Sequence, residues 1–231
     1  MNRQRILRTY SVVQSELNTS FCGGKPKLPP HVALPDCKIC GNAMTFFFQV
    51  KFPDSHPWRS DSCAVFSCMD CVDRNHFIPP MVSGQLRRAS IPSGFLDSYQ
   101  QNFAVYVFSD DNAVVRNDYT KDTIQFECWE IIASIGSSAE ESFVGGKPIW
   151  LEEDETPEVY GETTKLCFLL QIAGRFEFPT AADALGQLTL GRSGKPMRLQ
   201  DNFYNLFIGN QIYFFGTLNQ TSDKKVYIIT Q

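Results

Sequence analysis

The sequence predicts a sheet-rich α+β fold made of two pseudo-symmetric repeats, with a zinc-ribbon-like pair of knuckles confined to the first repeat. Three observations carry this expectation. Most of the chain beyond residue 40 divides into short, aromatic-rich apolar runs bounded by turn residues. One glycine-rich motif, with a pattern that follows it, occurs twice, 122 residues apart. Two Cys-x-x-Cys pairs stand in the first half and have no counterpart in the second.

In chain order, Ile6, Tyr10, Val13 and Leu17 fall at i, i+4, i+7 and i+11, so residues 3–17 are expected to form an amphipathic helix. Pro26, Pro29, Pro30 and Pro35 then impose an extended passage, because proline lacks the amide donor and restricts the residue before it. The segments TFFFQV (45–50), AVFSC (64–68), FAVYVFS (103–109) and TIQFECWEII (123–132) read as strands, as do KLCFLLQI (165–172), QIYFFGT (211–217) and KVYIIT (225–230). Within 123–132, Ile124, Phe126 and Cys128 alternate with Gln125 and Glu127, the pattern of a strand with one wet face. Helices are expected at 180–188, capped by Thr180, and in a short piece at 203–208. The acidic residues 152–158 and the Ser/Glu-rich residues 136–142 are expected to be exposed loops.

FCGGKP at 21–26 recurs as FVGGKP at 143–148. At the same offset Pro35 meets Pro157, Phe46 meets Phe168, Gln49 meets Gln171 and Val50 meets Ile172. A period this long signals two copies of one fold, not a solenoid. The 231 residues are therefore expected to form one domain of two repeats, about 1–115 and about 116–231. Gly23, Gly24, Gly145 and Gly146 permit positive φ and close backbone approach, while Pro26 and Pro148 keep the preceding lysine extended. Gln49 and Gln171 each end an apolar strand core, so each amide should be partly buried and paired with backbone near the glycine turn. The competing reading places both glutamines, with Cys22, on a ligand cleft between the repeats.

Cys37-x-x-Cys40 and Cys68-x-x-Cys71 are the sharpest chemical signal. Each pair can present two thiolates to one cation, and two such knuckles complete a tetrahedral site. Gly41 suits a knuckle turn, and the long spacer, residues 41–67, accommodates a strand and its loop. With four protein ligands no position is left for water, so the expected ion is one structural zinc per chain. A redox dithiol and independent reduced thiols are the competing readings. At the offset of 122 the second half has Val159 and Glu162 in place of Cys37 and Cys40, and with the later strands aligned instead it has Thr217 and Gln220 in place of Cys68 and Cys71, so no metal site. Cys63, Cys128 and Cys167 fall in strand patterns and read as core thiols, whereas Cys22, beside Gly23, could be a nucleophile only if a base stood near it.

Apolar residues make up 43% of the chain, enough for a core without disulfides, so the cysteine pattern points to metal chemistry more than to cross-links. A net charge of −4 argues against a dedicated nucleic-acid binder. The first twenty residues lack the apolar core of a signal peptide, and no run approaches a membrane span, so a cytoplasmic protein is expected. No P-loop, dinucleotide fingerprint, GxSxG or HExxH occurs. His31, His56 and His76 are scattered; His56 and His76 read as loop residues, and Asp70 and Asp73 as solvated. No catalytic residues are assigned.

FxGGKPxLP followed by PDCKICGNAMTFFFQVKFP and AVFSCMDC resembles the N-terminal half of the programmed cell death protein 2 family. FVGGKPIWLEEDETPE, CFLLQI and IYFF in the second half resemble the YwqG-like family of unknown function, a related group built from a duplicated unit. The resemblance covers roughly residues 21–80 and 143–217. It implies a sheet-rich pseudo-twofold fold, no established catalysis and a role in binding protein. The roles it suggests are an immunity protein neutralising a toxin or a chaperone-like cap on a client. The acidic 152–158 segment would suit a basic protein partner. The alternative is a small-ligand binder or enzyme using the cleft between the repeats.

Overall fold

The computed structural model describes residues 2–9, 13–134, 138–218 and 223–231. Ten strands form the backbone of one large sheet. In the first half they are β1 (Gln4–Thr9), β2 (Phe21–Cys22), β3 (Thr45–Lys51), β4 (Asp61–Ser67) and β5 (Phe103–Ser109). The second half supplies β6 (Glu127–Ala133), β7 (Phe143–Val144), β8 (Thr164–Ile172), β9 (Ile212–Thr217) and β10 (Val226–Thr230). Their order across the sheet is β10-β9-β8-β7-β1-β6-β2-β3-β4-β5. Exchanging the first five strands with the second five reproduces this order read from the opposite edge. The short strands Ser90–Ile91 and Val159–Tyr160 pair in parallel and join the sheet beside β8.

The pairings recur at the offset seen in the sequence. Phe21 faces Gln49 and Cys22 faces Phe48 across β2 and β3; Phe143 faces Gln171 and Val144 faces Leu170 across β7 and β8. A register shift falls between Phe46 and Phe48 in one half and between Phe168 and Leu170 in the other. That bulge adds a residue to the strand and explains why three consecutive phenylalanines, Phe46 to Phe48, are all buried. Phe47 and Phe48 join the main core, whereas Phe46 joins a second cluster with Phe21, Phe66 and Tyr119. The first strand of each half crosses to the other: β1 pairs with β7, β6 pairs with β2, and Leu7 faces Glu130 where β1 and β6 meet.

The main core draws on both halves. Phe48 lies edge-on to Phe214 at 6.0 Å, and Phe47 edge-on to Phe178 at 5.0 Å. Trp58, on the turn between β3 and β4, donates its indole N–H to the Thr217 carbonyl at 3.1 Å. Its ring lies over Gly216, where any side chain would collide with it. Aromatic contacts of this kind contribute beyond their buried area.

Every predicted strand run overlaps an observed strand, but the helical expectations fail. Residues 3–17 are not a helix: β1 lies between β7 and β6, both of its edges are paired, and only Ile6 is buried. Val13 and Leu17 are exposed, and Tyr10 lies outside the described residues. Thr180 caps nothing. It bridges Ile124, and Leu188 begins the strand Leu188–Leu190. Residues 203–208 split into the strand Phe203–Asn205 and a 3-10 turn, Leu206–Gly209, in which Phe207 and Ile208 take positive φ. Among the described residues there is no α-helix, and none long and apolar enough to cross a membrane.

The alternation read in 123–132 is also corrected. Glu127 is buried because the Arg8 guanidinium grips its carboxylate through two hydrogen bonds of 2.7 and 2.8 Å. Residues 152–154 and Glu158 are exposed as expected, but Glu155 and Thr156 are half-buried and Pro157 is buried; Ser142 is buried, and positions 136 and 137 lie outside the described residues.

Candidate metal centre

The first knuckle is built by short-range backbone bonds. An Asp36–Ala43 bridge closes its base. Within it the Cys37 amide donates to the Asn42 carbonyl at 2.8 Å and the Gly41 amide to the Cys37 carbonyl at 2.7 Å. Gly41 adopts φ +75°, which keeps this turn tight. The second knuckle leaves the end of β4, where the Cys68 amide donates to the Asn102 carbonyl at 2.8 Å. Lys38 of the first knuckle donates to the neighbouring Gln101 carbonyl at 2.8 Å, so one segment before β5 holds both knuckles in place.

All four sulfurs come together. Cys37 Sγ lies 3.7 Å from Cys71 Sγ, Cys40 Sγ lies 3.6 Å from Cys68 Sγ, and the whole set is within 4.8 Å. A tetrahedron with metal–sulfur bonds of about 2.3 Å has edges of about 3.8 Å, so these separations match a cation shared by both knuckles. They are far from the roughly 2.05 Å of a disulfide bond. Cys37 and Cys68 are buried, Cys71 is half-buried and Cys40 is exposed at the rim. Burial pushes the Cys68 thiol up to about 12 and also raises that of Cys71. The Cys68 and Cys71 thiols, which burial keeps protonated, deprotonate readily only when a cation replaces the protons. The donor set therefore fits a soft divalent ion with no open coordination position, which would tie the two loops together.

The remaining candidates lie elsewhere. His76 Nδ1 pairs with Asp73 Oδ1 at 2.9 Å and is not among the donors. Asp70 is not solvated: it receives Lys121 and, at 3.4 Å, Arg198. His31 is exposed, while His56 is buried on the far loop beside Trp58. Cys63, fully buried, and Cys167, half-buried, have thiols pushed up to about 12 by burial. Cys22 is fully buried, its S–H faces Glu127 at 3.6 Å, and burial followed by the Glu127 charge raises its pKa strongly. It is a protonated core thiol, not a nucleophile.

Gln49 and Gln171 are fully buried and do not line a cleft. Gln49 accepts from the Lys27 amide at 3.3 Å and donates to the Thr19 carbonyl at 3.5 Å. Gln171 accepts from the Ile149 amide at 3.0 Å and donates to the Glu141 and Ala139 carbonyls at 3.3 Å. Gly23 and Gly145, at positive φ, donate to the Phe47 and Leu169 carbonyls, and Pro26 and Pro148 follow in the same turns. A partner residue missing from the sequence reading is the serine before each motif. Ser20 Oγ accepts from the Lys51 amide and Ser142 Oγ from the Ala173 amide, both at 3.0 Å. The signal was present, since SF begins both copies at the same offset. No family model matches this chain, and a search of curated proteins finds no match.

Proposed function

We propose that this chain is a zinc-stabilised, non-enzymatic protein-binding module built from a duplicated unit and working in a reducing compartment such as the cytoplasm. The observation that carries it is the set of four cysteine sulfurs from two knuckles at tetrahedral spacing. A closed four-sulfur site stabilises local structure and leaves nothing for a substrate to bind. Duplication is supported by the pairing of Phe21 with Gln49 and Phe143 with Gln171, and by serine, glycine and glutamine hydrogen bonds that recur at an offset of 122. The same features favour membership of a YwqG-like group related to the programmed cell death protein 2 family. On this reading the chain serves as an immunity protein or a client cap, and its partner is a basic protein met by the exposed acids Glu152, Glu153 and Asp154.

Metal analysis of protein purified without chelator should give about one zinc per chain, lowered by Cys40→Ser. Less than about a tenth of an equivalent, with four titratable thiols at these positions, rejects the metal centre. Tagged zinc-loaded protein should retain a basic protein at about equal stoichiometry, and Glu152→Lys with Glu153→Lys should weaken that complex about tenfold. Retention unchanged by the charge reversal, or no partner at micromolar concentration, counts against the binding role.

A further inference from the structure

A cleft of about 610 Å³ opens between the segment holding Arg87 and Arg88 and the second glycine turn, over β8. Its size falls in the range of small-molecule sites. Four cations line it, Arg87, Arg88, Lys147 and Lys165, against two carboxylates, Asp154 and Glu158. Arg87 and Asp154 neutralise one another at 3.4 Å, and Asp154 also accepts from the Thr156 amide. Among the described residues Arg88, Lys147 and Lys165 have no ion-pair partner. The cleft is thus net positive in a chain of charge −4.

Two further observations point to an anion there. In the first glycine turn the Gly24 amide donates to the Ile124 carbonyl and the Lys25 amide to Gln14 Oε1, both at 2.9 Å. The equivalent amides of Gly146 and Lys147 have no acceptor among the described residues, and both residues line the cleft. Consecutive free amides after left-handed residues form a concavity that favours anions. Arg88 is itself held at φ +58°, pinned by its amide to the Thr156 carbonyl at 2.7 Å. A non-glycine residue in that conformation is strained, and such strain collects at binding sites. Beside the cations Trp150 lines the same cleft, packed on Tyr213 at 4.2 Å.

We propose that this cleft binds a small phosphorylated molecule bearing a planar ring, with the phosphate held by Arg88, Lys147, Lys165 and the turn amides, and the ring on Trp150. Guanidinium and ammonium groups serve the phosphate, and an indole face serves the ring. The site shares no residue with the metal centre, and at Asp154 it adjoins the acidic segment proposed to meet the protein partner.

Calorimetric titration of the zinc-loaded full chain with AMP, and separately with inorganic phosphate, tests it. AMP should bind more tightly than phosphate. Arg88→Ala with Lys165→Ala should weaken both by about tenfold, the loss expected for about 1.4 kcal/mol. Trp150→Leu should weaken AMP and leave phosphate unchanged. Each variant is first checked for unaltered zinc content and thermal unfolding; Lys165→Gln alone, the mildest change, serves where the double variant fails to fold. No binding of either probe at 5 mM (on the order of the weakest affinity worth assigning), or affinities unchanged by the charge variants, overturns the site. Equal affinity for AMP and phosphate overturns the ring platform.

Discussion

At the scale of single residues, His56 shows how burial turns an ordinary loop residue into a determinant of stability. Its ring stacks on Phe52 at 4.5 Å, and Nδ1 accepts from the Trp58 amide at 2.9 Å. Desolvation lowers its pKa to about 4. Between pH 6.5 and 4 the unfolded chain therefore binds a proton at this residue that the native state refuses. Stability from His56 is fully present above pH 6.5 and is lost as pH falls toward 4. Between pH 7 and pH 5 the loss is about 2 kcal/mol. Urea denaturation at the two pH values should show this loss in the wild type, and His56→Gln should lose about 2 kcal/mol less over the same interval. Equal losses in both proteins would exclude the mechanism. None of this was legible in Ser-His-Pro-Trp, which has the composition of an exposed turn. The loop is buried because Gly216, about 160 positions later, leaves room for Trp58. Glu127 was misread for the same reason, since its partner Arg8 lies on a strand that joins β6 only through tertiary pairing.

At the scale of elements, the glycine turn, its strand and the buried glutamine act as one unit. The turn reverses the chain, the strand supplies a bulge, and the amide ties the extended segment after the proline back to the sheet. Gln171→Leu keeps the volume but strands the Ile149 amide and two carbonyls away from water. Unsatisfied buried groups of this kind cost about 1–3 kcal/mol each, so a loss of about 3 kcal/mol is expected. Gln49→Leu should cost less, because its two bonds are longer, at 3.3 and 3.5 Å. Chemical denaturation of both variants measures the difference; a Gln171→Leu change under about 0.5 kcal/mol would show that the amide carries no structural weight. Strands were legible because apolar and aromatic runs survive whatever their pairing partner. The N-terminal helix was not, because Ile6, Val13 and Leu17 match helical spacing by chance while pairing on both edges decides the conformation of β1. The clustering of the four cysteines was legible because two Cys-x-x-Cys pairs have the spacing that a shared cation would demand whatever the surrounding fold.

At the scale of the molecule, the metal centre is coupled to the second half by a contact absent from any sequence pattern. The hairpin formed by Leu188–Leu190 and Pro196–Arg198 leans on the second knuckle: the Leu188 amide donates to the Met69 carbonyl at 3.1 Å, and Arg198 reaches Asp70. Arg74 of the knuckle loop lies over Gly194 at the hairpin tip. The ligands Cys37 and Cys68 belong to the smaller apolar cluster, with Phe46, Phe66 and Tyr119, and not to the main core joining the halves. Removal of the ion should thus loosen one side of the molecule and spare the other. Hydrogen exchange before and after chelation should rise at least about tenfold at residues 36–43 and 68–76, and with them at 188–198, although that hairpin carries no ligand. Amides of β3, β8 and β9 should keep their protection, because Phe48, Phe178 and Phe214 hold the main core without help from the knuckles. A uniform rise across β3 and β9 would mean that the ion supports the whole fold cooperatively. No rise at 188–198 would mean that the hairpin docks on the knuckle without depending on it. Only the graded result makes the metal a local clamp whose influence crosses from the first half of the chain to the second.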